Sequence, residues 1–283
     1  MADRNWKVFP IVEQIHISAM YSLFKVHYPE GFVFQGESHN FWECLYVMSG
    51  EVCVSADERV YNLTRGEIIF HKPLEFHKFI VTSTDGANLL VFSFDAAGPL
   101  TDWMQDKVFT LSSQQSALLK SLLSYIHGTL LALNHPENDF RSYLLPFEKL
   151  PHYSQQIGTY LYQLFLSLVD EGVVSPASSA PDAVTFSQAV CYLNENLHRQ
   201  PSVNEIARHC STSISSLKRI FEKYAGISVH KYLIKLKIKA ATELLQKESV
   251  YTVSTQLGFN SQSYFSKAFK RETGINPSEF RQS

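Results

Sequence analysis

The sequence has no apolar run approaching the roughly 18 to 20 residues that a helix needs to cross a bilayer, and no paired cysteines. Its four cysteines, Cys44, Cys53, Cys191 and Cys210, show no CxxC spacing and are too sparse to staple 283 residues, so free thiols in a reducing compartment are expected. The opening residues carry Asp3 and Arg4 without the apolar core of an export signal. There is also no nucleophile elbow, phosphate-binding loop, HExxH helix or EF-hand loop. These absences lead us to expect a soluble, cytoplasmic protein with no membrane partner and no enzymatic activity.

What is present is ordinary globular material. Hydrophobic residues make up 45% of the chain and charged residues 18%, which is wrong for a disordered or collagen-like polymer. At 283 residues, two domains or one large one are expected. The net charge of −2 conceals an asymmetry, because residues 183–283 hold 14 Lys and Arg against 7 Asp and Glu. That segment carries +7 and the rest −9, so the last hundred residues are suited to a polyanion that the acidic part avoids.

Between residues 32 and 94 short apolar runs alternate with turn residues. The runs at 41–48, 52–54, 60–63, 68–70, 79–82 and 89–94 are separated by Ser49-Gly50, Asp57-Glu58, Arg65-Gly66, Pro73 and Asp85-Gly86. This spacing predicts an antiparallel barrel or sandwich rather than βαβ units. After Pro99 the period becomes helical. Leu118, Leu119, Leu122, Leu123, Ile126 and Leu130 form one stripe, and Ile157, Leu161, Leu164, Phe165 and Leu168 a second. Such a helical pair can cap the barrel or pack against a second copy of the chain. Residues 172–182 hold Pro176 and Pro181 among small residues such as Ser175, Ala177 and Ser178, and read as a linker between domains 1–171 and 183–283.

Residues 183–283 read as short helices with sharp stops, at 184–197, 203–209, 213–224, 229–246, 251–257 and 261–273. Ser202 and Glu205 have the spacing of a capping box. Two stretches repeat one plan: a short helix, a tight turn, then a helix with an apolar stripe closed by glycine. In the first, Leu217, Ile220, Phe221 and Tyr224 form the stripe, with Ser215, Arg219 and Glu222 opposite and Lys218 on the flank. In the second, Phe265, Ala268 and Phe269 lie opposite Ser263, Lys267 and Lys270, with Gln262 near the helix start. A helix-turn-helix offers such a polar face to the major groove, where Arg and Lys reach guanine, Gln reads adenine and Ser makes short adaptable contacts. Ser215, Lys218, Arg219, Gln262, Ser263, Lys267 and Lys270 are therefore the candidate DNA-binding residues. The intervening helix of roughly 18 residues spans near 27 Å, a spacer of the right order to set two readers about one DNA turn apart.

At these residues the last hundred positions resemble the double helix-turn-helix domain of AraC-type bacterial transcription regulators. The matching segments include Leu217-Lys218-Arg219-Ile220-Phe221, Leu257-Gly258-Phe259, Ser263-Tyr264-Phe265-Ser266-Lys267-Ala268-Phe269-Lys270 and Gly274-Ile275-Asn276-Pro277. Lys237 departs from the arginine usual in the linker helix, and Ser254 from a small alanine in the second unit. The acidic half resembles the cupin-like sensor barrel of such regulators. His39, Glu43 and Gly50 keep the spacing of the first cupin motif, with Phe41 in place of its second histidine, and Gly66, Pro73 and His77 keep the second.

His39, Glu43 and His77 could supply three metal ligands, but the histidine lost to Phe41 argues against it. The resemblance implies an organic effector, such as a sugar, held by these three residues without a metal or other cofactor. Aromatic residues along the strands, among them Phe34, Phe41, Tyr61 and Phe79, suit a ring-lined pocket for a sugar or small amphiphile. The fold class expected is two-domain α+β: an N-terminal cupin-like antiparallel β-barrel with a helical pair, and a C-terminal all-α double helix-turn-helix domain. The implied partners are double-stranded operator DNA, a small-molecule effector, RNA polymerase and a second copy of the chain, and activation is the expected outcome. A metal-dependent cupin enzyme fused to a DNA-binding domain and an effector-free DNA-binding dimer are the alternatives.

Overall fold

The computed structural model describes residues 7–134, 142–171, 173–175 and 177–281. The first six residues, with Asp3 and Arg4, and the linker positions Gly172 and Pro176 lie outside them. In chain order the strands are β1 His16–Tyr28, β2 Val33–Glu37, β3 Trp42–Ser49, β4 Glu51–Ala56, β5 Arg59–Thr64, β6 Glu67–His71, β7 His77–Val81, β8 Ala87–Ala97, β9 Val108–Thr110 and β10 Val173–Ser175. The helices are α1 Pro99–Met104, α2 Ser113–Ala132, α3 Leu145–Lys149, α4 Pro151–Glu171, α5 Pro181–Glu195, α6 Val203–His209, α7 Ile214–Ala225, α8 Val229–Leu244, α9 Val250–Gln256, α10 Gln262–Thr273 and α11 Pro277–Phe280.

Strand alternation divides the N-terminal half into layers. A six-stranded antiparallel sheet, in order β1-β8-β3-β6-β9-β10, faces a four-stranded one, β2-β7-β4-β5. The two sheets stay open, so the expected barrel takes the form of a sandwich. Leu45, Val47, Leu89 and Val91 of the larger sheet meet Val52, Val54, Phe79 and Val81 of the smaller one in the space between. The alternate residues Trp42, Cys44, Phe70, Phe92 and Phe94 point to the other face, where α2 and α4 cover them. Phe165 of α4 packs edge-on to Phe70 with ring centres 5.3 Å apart. Both helical stripes thus pack on the sheet: Leu119, Leu122, Ile126 and Leu130 of α2 and Ile157, Leu161 and Phe165 of α4 are buried there.

The C-terminal helices cover the outer face of the smaller sheet. Their two units have separate cores, one around Phe186, Phe221 and Tyr232 and the other around Phe265, Phe269 and Leu245, with α8 shared between them. Serine hydroxyls at Ser202, Ser213, Ser228, Ser249 and Ser261 each accept the N–H three residues on, which starts α6 to α10 where the sequence turns polar. The capping box expected at Ser202 is half formed. Glu205 turns away from the cap to Arg199 Nη2 at 2.7 Å and to the Tyr192 hydroxyl at 2.6 Å, a charged and a phenolic partner in place of one backbone N–H. Ser254, a departure from the family pattern, is buried with its hydroxyl donated to the Tyr251 carbonyl at 2.8 Å.

Apolar and polar contacts tie the layers together. Phe76, in the loop between β6 and β7, enters the first helical core and meets the Tyr232 ring at 5.9 Å. Lys239 of α8 pairs with the buried Asp57 at 2.6 Å, and Lys78 donates to the Glu222 carbonyl at the end of α7 at 2.7 Å. Ser55 donates to the neighbouring Tyr224 carbonyl.

Candidate effector pocket and DNA-reading faces

Two polar rungs face each other at one end of the sandwich. In the larger sheet, register pairs Ser22 with Ser93, Ser93 with Glu43, and Glu43 with His71. In the smaller sheet, it pairs Glu37 with His77 and His77 with Ala56. All these positions share the inward alternation of the apolar core, which is why the chain buries charge here. Glu43 lies between two imidazoles, with His39 Nε2 at 3.5 Å and His77 Nε2 at 3.3 Å, and it accepts from Ser93 Oγ at 3.2 Å. His77 Nε2 is 3.9 Å from Glu37. The three residues expected from the cupin spacing therefore converge, and Glu37 joins them from an edge strand that the sequence did not reveal.

Each imidazole is held by its other nitrogen. His39 Nδ1 lies 3.0 Å from the Phe41 carbonyl, and His77 Nδ1 3.2 Å from the Glu75 carbonyl. Phe41, the residue in place of a histidine, stacks on the His39 ring at 3.8 Å. The His71 ring stacks on His77 at 4.3 Å and bonds to Glu75 at 2.7 Å.

Burial alone would raise the Glu43 carboxyl, but the facing His39 and His77 hold it well below the usual carboxylate range. Burial works against a proton on His39, and Glu43 outweighs it, which raises His39; at 3.5 Å this is attraction across a gap and not a made hydrogen bond. Behind the cluster, burial pushes His71 well down, and burial with Asp57 pushes Glu75 up to about 8. Both shifts favour a neutral His71–Glu75 pair sharing one proton.

The cluster opens onto a cavity of about 760 Å³, walled by Phe24, Tyr28, Phe34 and Phe79 and floored by Ser22, Ser93 and Glu43. Apolar walls with a few convergent polar groups are the form of a small-molecule site. Glu37, His39, Glu43 and His77 each offer one ligand atom, all within 4.8 Å of one another.

The candidate DNA-binding residues stand on the opposite side of their helices from the cores. Ser215, Lys218 and Arg219 of α7 are exposed, as are Gln262, Ser263, Lys267 and Lys270 of α10. Arg219 is not idle, since it makes two bonds to Asp182 at 3.1 and 3.4 Å. α8 runs for 16 residues, about 24 Å, between the two units. The helical half thus presents two like-built polar faces joined by one rigid helix.

The model of an AraC-like ligand-binding domain matches residues 23–148, and that of a helix-turn-helix domain matches residues 206–283. The chain belongs to the AraC type of transcription regulators. As an AraC-type regulator it is 26% identical over 254 residues to an uncharacterised HTH-type transcriptional regulator, YfiF, of Bacillus subtilis, covering 86% of this chain and 77% of that one. It is 22% identical over 262 residues to the HTH-type transcriptional activator RhaR of Shigella dysenteriae, at 90% and 89% coverage. It is 30% identical over 130 residues to the raffinose operon regulatory protein RafR of Pediococcus pentosaceus, a match spanning 45% of this chain and 47% of that protein. The ligand-binding match falls on the half that holds the pocket, and the helix-turn-helix match on the half that holds the two polar faces. Among the described residues no helix is long and apolar enough to cross a membrane.

Proposed function

We propose that this AraC-type regulator is a cytoplasmic activator whose sensor, residues 1–171, takes a sugar or similar polyhydroxylated effector, and whose reader, residues 183–283, binds operator DNA as part of a homodimer that engages RNA polymerase. Residues 172–182 form the connection in this reading. The observation that carries it is the 760 Å³ cavity with ring walls and the His39–Glu43–His77 cluster at its end. Aromatic faces suit the C–H faces of a sugar, and a carboxylate beside imidazoles suits its hydroxyls. The names of RhaR and RafR, an activator and a sugar-operon regulator, support the same choice.

An effector shifts the protein only by binding one state better. The shortest route from pocket to reader is one peptide bond long, because His77 faces Glu43 while Phe76 lies in the core of the first helical unit. Movement of β7 on effector binding would draw on Phe76, and with it on Lys78 and the Asp57–Lys239 pair.

Calorimetric titration with a panel of sugars and sugar acids tests the pocket. One of them binds, and Glu43→Ala weakens that binding by about 1 to 3 kcal/mol, the cost of a lost bond to a charged group, while operator affinity without effector stays unchanged. Normal effector binding by the alanine variants of His39, Glu43 and His77 would refute the assignment.

A further inference from the structure

The two reader helices are not equally free. Arg219 and Lys223 stand one turn apart on the same face of α7, and both reach the carboxylate of Asp182 in the first turn of α5. Asp182 accepts from Arg219 Nη1 at 3.1 Å and from Nη2 at 3.4 Å, the two-pronged pairing that a guanidinium also makes with a guanine edge or a phosphate. Lys223 Nζ lies 3.8 Å from the same carboxylate. The matching cation of α10 has no such partner. Among the described residues the side chains of Gln262, Ser263 and Lys267 make no hydrogen bond or ion pair.

The chain on both sides fixes the position of Asp182. Upstream, the Ser178 N–H donates to the Val60 carbonyl of β5. Downstream, Ala183 and Phe186 of α5 are buried in the core that also holds Leu217 and Phe221 of α7. An acid in a first turn favours any helix start, which accounts for a carboxylate at this position. It does not account for that carboxylate gathering two cations from the polar side of another helix.

We propose that Asp182 competes with DNA for Arg219, so that the first reader is held back while the second is free to set basal operator binding. This rests on the reading that α7 and α10 both face DNA. While Asp182 occupies the two-donor edge of Arg219, a guanine or a phosphate cannot take that edge. Once phosphates approach, the carboxylate is also repelled, because like charges a few ångströms apart oppose each other. Breaking an exposed pair costs up to about fivefold in an equilibrium, and a bidentate guanine contact gains roughly five- to 150-fold. α7 therefore engages its site against a small opposing equilibrium that α10 does not meet.

The test titrates full-length wild type and Asp182→Asn on an operator selected from random DNA. At about 0.1 M salt the variant binds about two- to fivefold more tightly, with an unchanged melting temperature. Scrambling the base pairs under α7 removes most of this gain, and scrambling those under α10 leaves it. Asp182→Ser, which keeps a helix-start residue without the charge, shows the same gain. Glu222→Gln is the control for charge alone, since it removes one acid from the exposed side of α7 without touching the Arg219 pair; its effect persists in an Arg219→Ala background, whereas most of the Asp182→Asn gain disappears there. A gain from Asp182→Asn that survives undiminished in Arg219→Ala, or affinity at or below wild type in both Asp182 variants, overturns the proposal. Wild-type operator affinity in Arg219→Ala removes α7 as a reader and the competition with it, while lost affinity in Arg219→Ala with none gained in Asp182→Asn removes the competition and leaves the reader standing.

Discussion

Arg219 and Lys267 occupy matching places on α7 and α10, exposed and opposite the buried stripes. Replacing either by alanine lowers operator affinity by about 1 to 3 kcal/mol and leaves the melting temperature unchanged, a loss that DNA titration and thermal melts would register. The Arg219–Asp182 pair is largely exposed, so it yields readily to a base or phosphate. Lys237 is the opposite case. It is fully buried, with the Gly258 carbonyl at 3.5 Å and the Phe259 ring at 5.2 Å, and burial brings its ammonium down to about 8. The folded protein releases this proton before the unfolded chain does. Between about pH 8 and 10.5 the unfolded state binds more protons, and stability rises with pH. Lys237→Met is therefore more stable than wild type at pH 7 and loses this rise, and parallel melting curves for the two proteins across that range would contradict the assignment. Residue type and spacing made the polar faces legible, along with His39, Glu43 and His77. Glu37 was not, because its strand is short and irregular in register, with no apolar rhythm to mark it.

At the scale of elements, caps and stops fix the helical half. Serine N-caps and glycine ends mark its helices, so their boundaries could be read from the sequence to within a few residues. Gly258 shows what such a position costs to change. It has φ +58, and an added Cβ would lie 2.2 Å from the His198 carbonyl oxygen. Gly258→Ala then incurs both left-handed strain of about 1 to 2 kcal/mol and a backbone shift, and lowers the melting temperature measurably, whereas Ser254→Ala changes it little. β3 to β8 were legible from alternation and turns. β1, the longest strand, was not, because its thirteen residues are mostly exposed or half-buried and carry two register shifts, so no apolar rhythm marks them. β9 and β10 are three residues each, too short for any period to show. The stripes of α2 and α4 were legible as stripes, but only the structure shows that they pack on the aromatic face of the sheet.

On the scale of the whole molecule, the sensor and reader share an interface that no motif announces. Phe76, from a loop of the β half, and Val60, from β5, are buried in a helical core. Phe76→Ala removes a buried ring at a cost of about 3 to 5 kcal/mol and uncouples the halves, so calorimetry of the variant resolves two unfolding steps where wild type has one. The alternating residues of β4 carry this arrangement, with Val52 and Val54 facing inward and Cys53 and Ser55 facing the reader. The central claim is that two like-built helices, α7 and α10, read one operator. Operator sequences selected from random DNA with the full-length protein, then titrated with wild type, Arg219→Ala and Lys267→Ala, test it directly. The account predicts two contacted sites about one DNA turn apart, each losing its sequence preference in one variant and not the other. Wild-type affinity and specificity in both variants would contradict it.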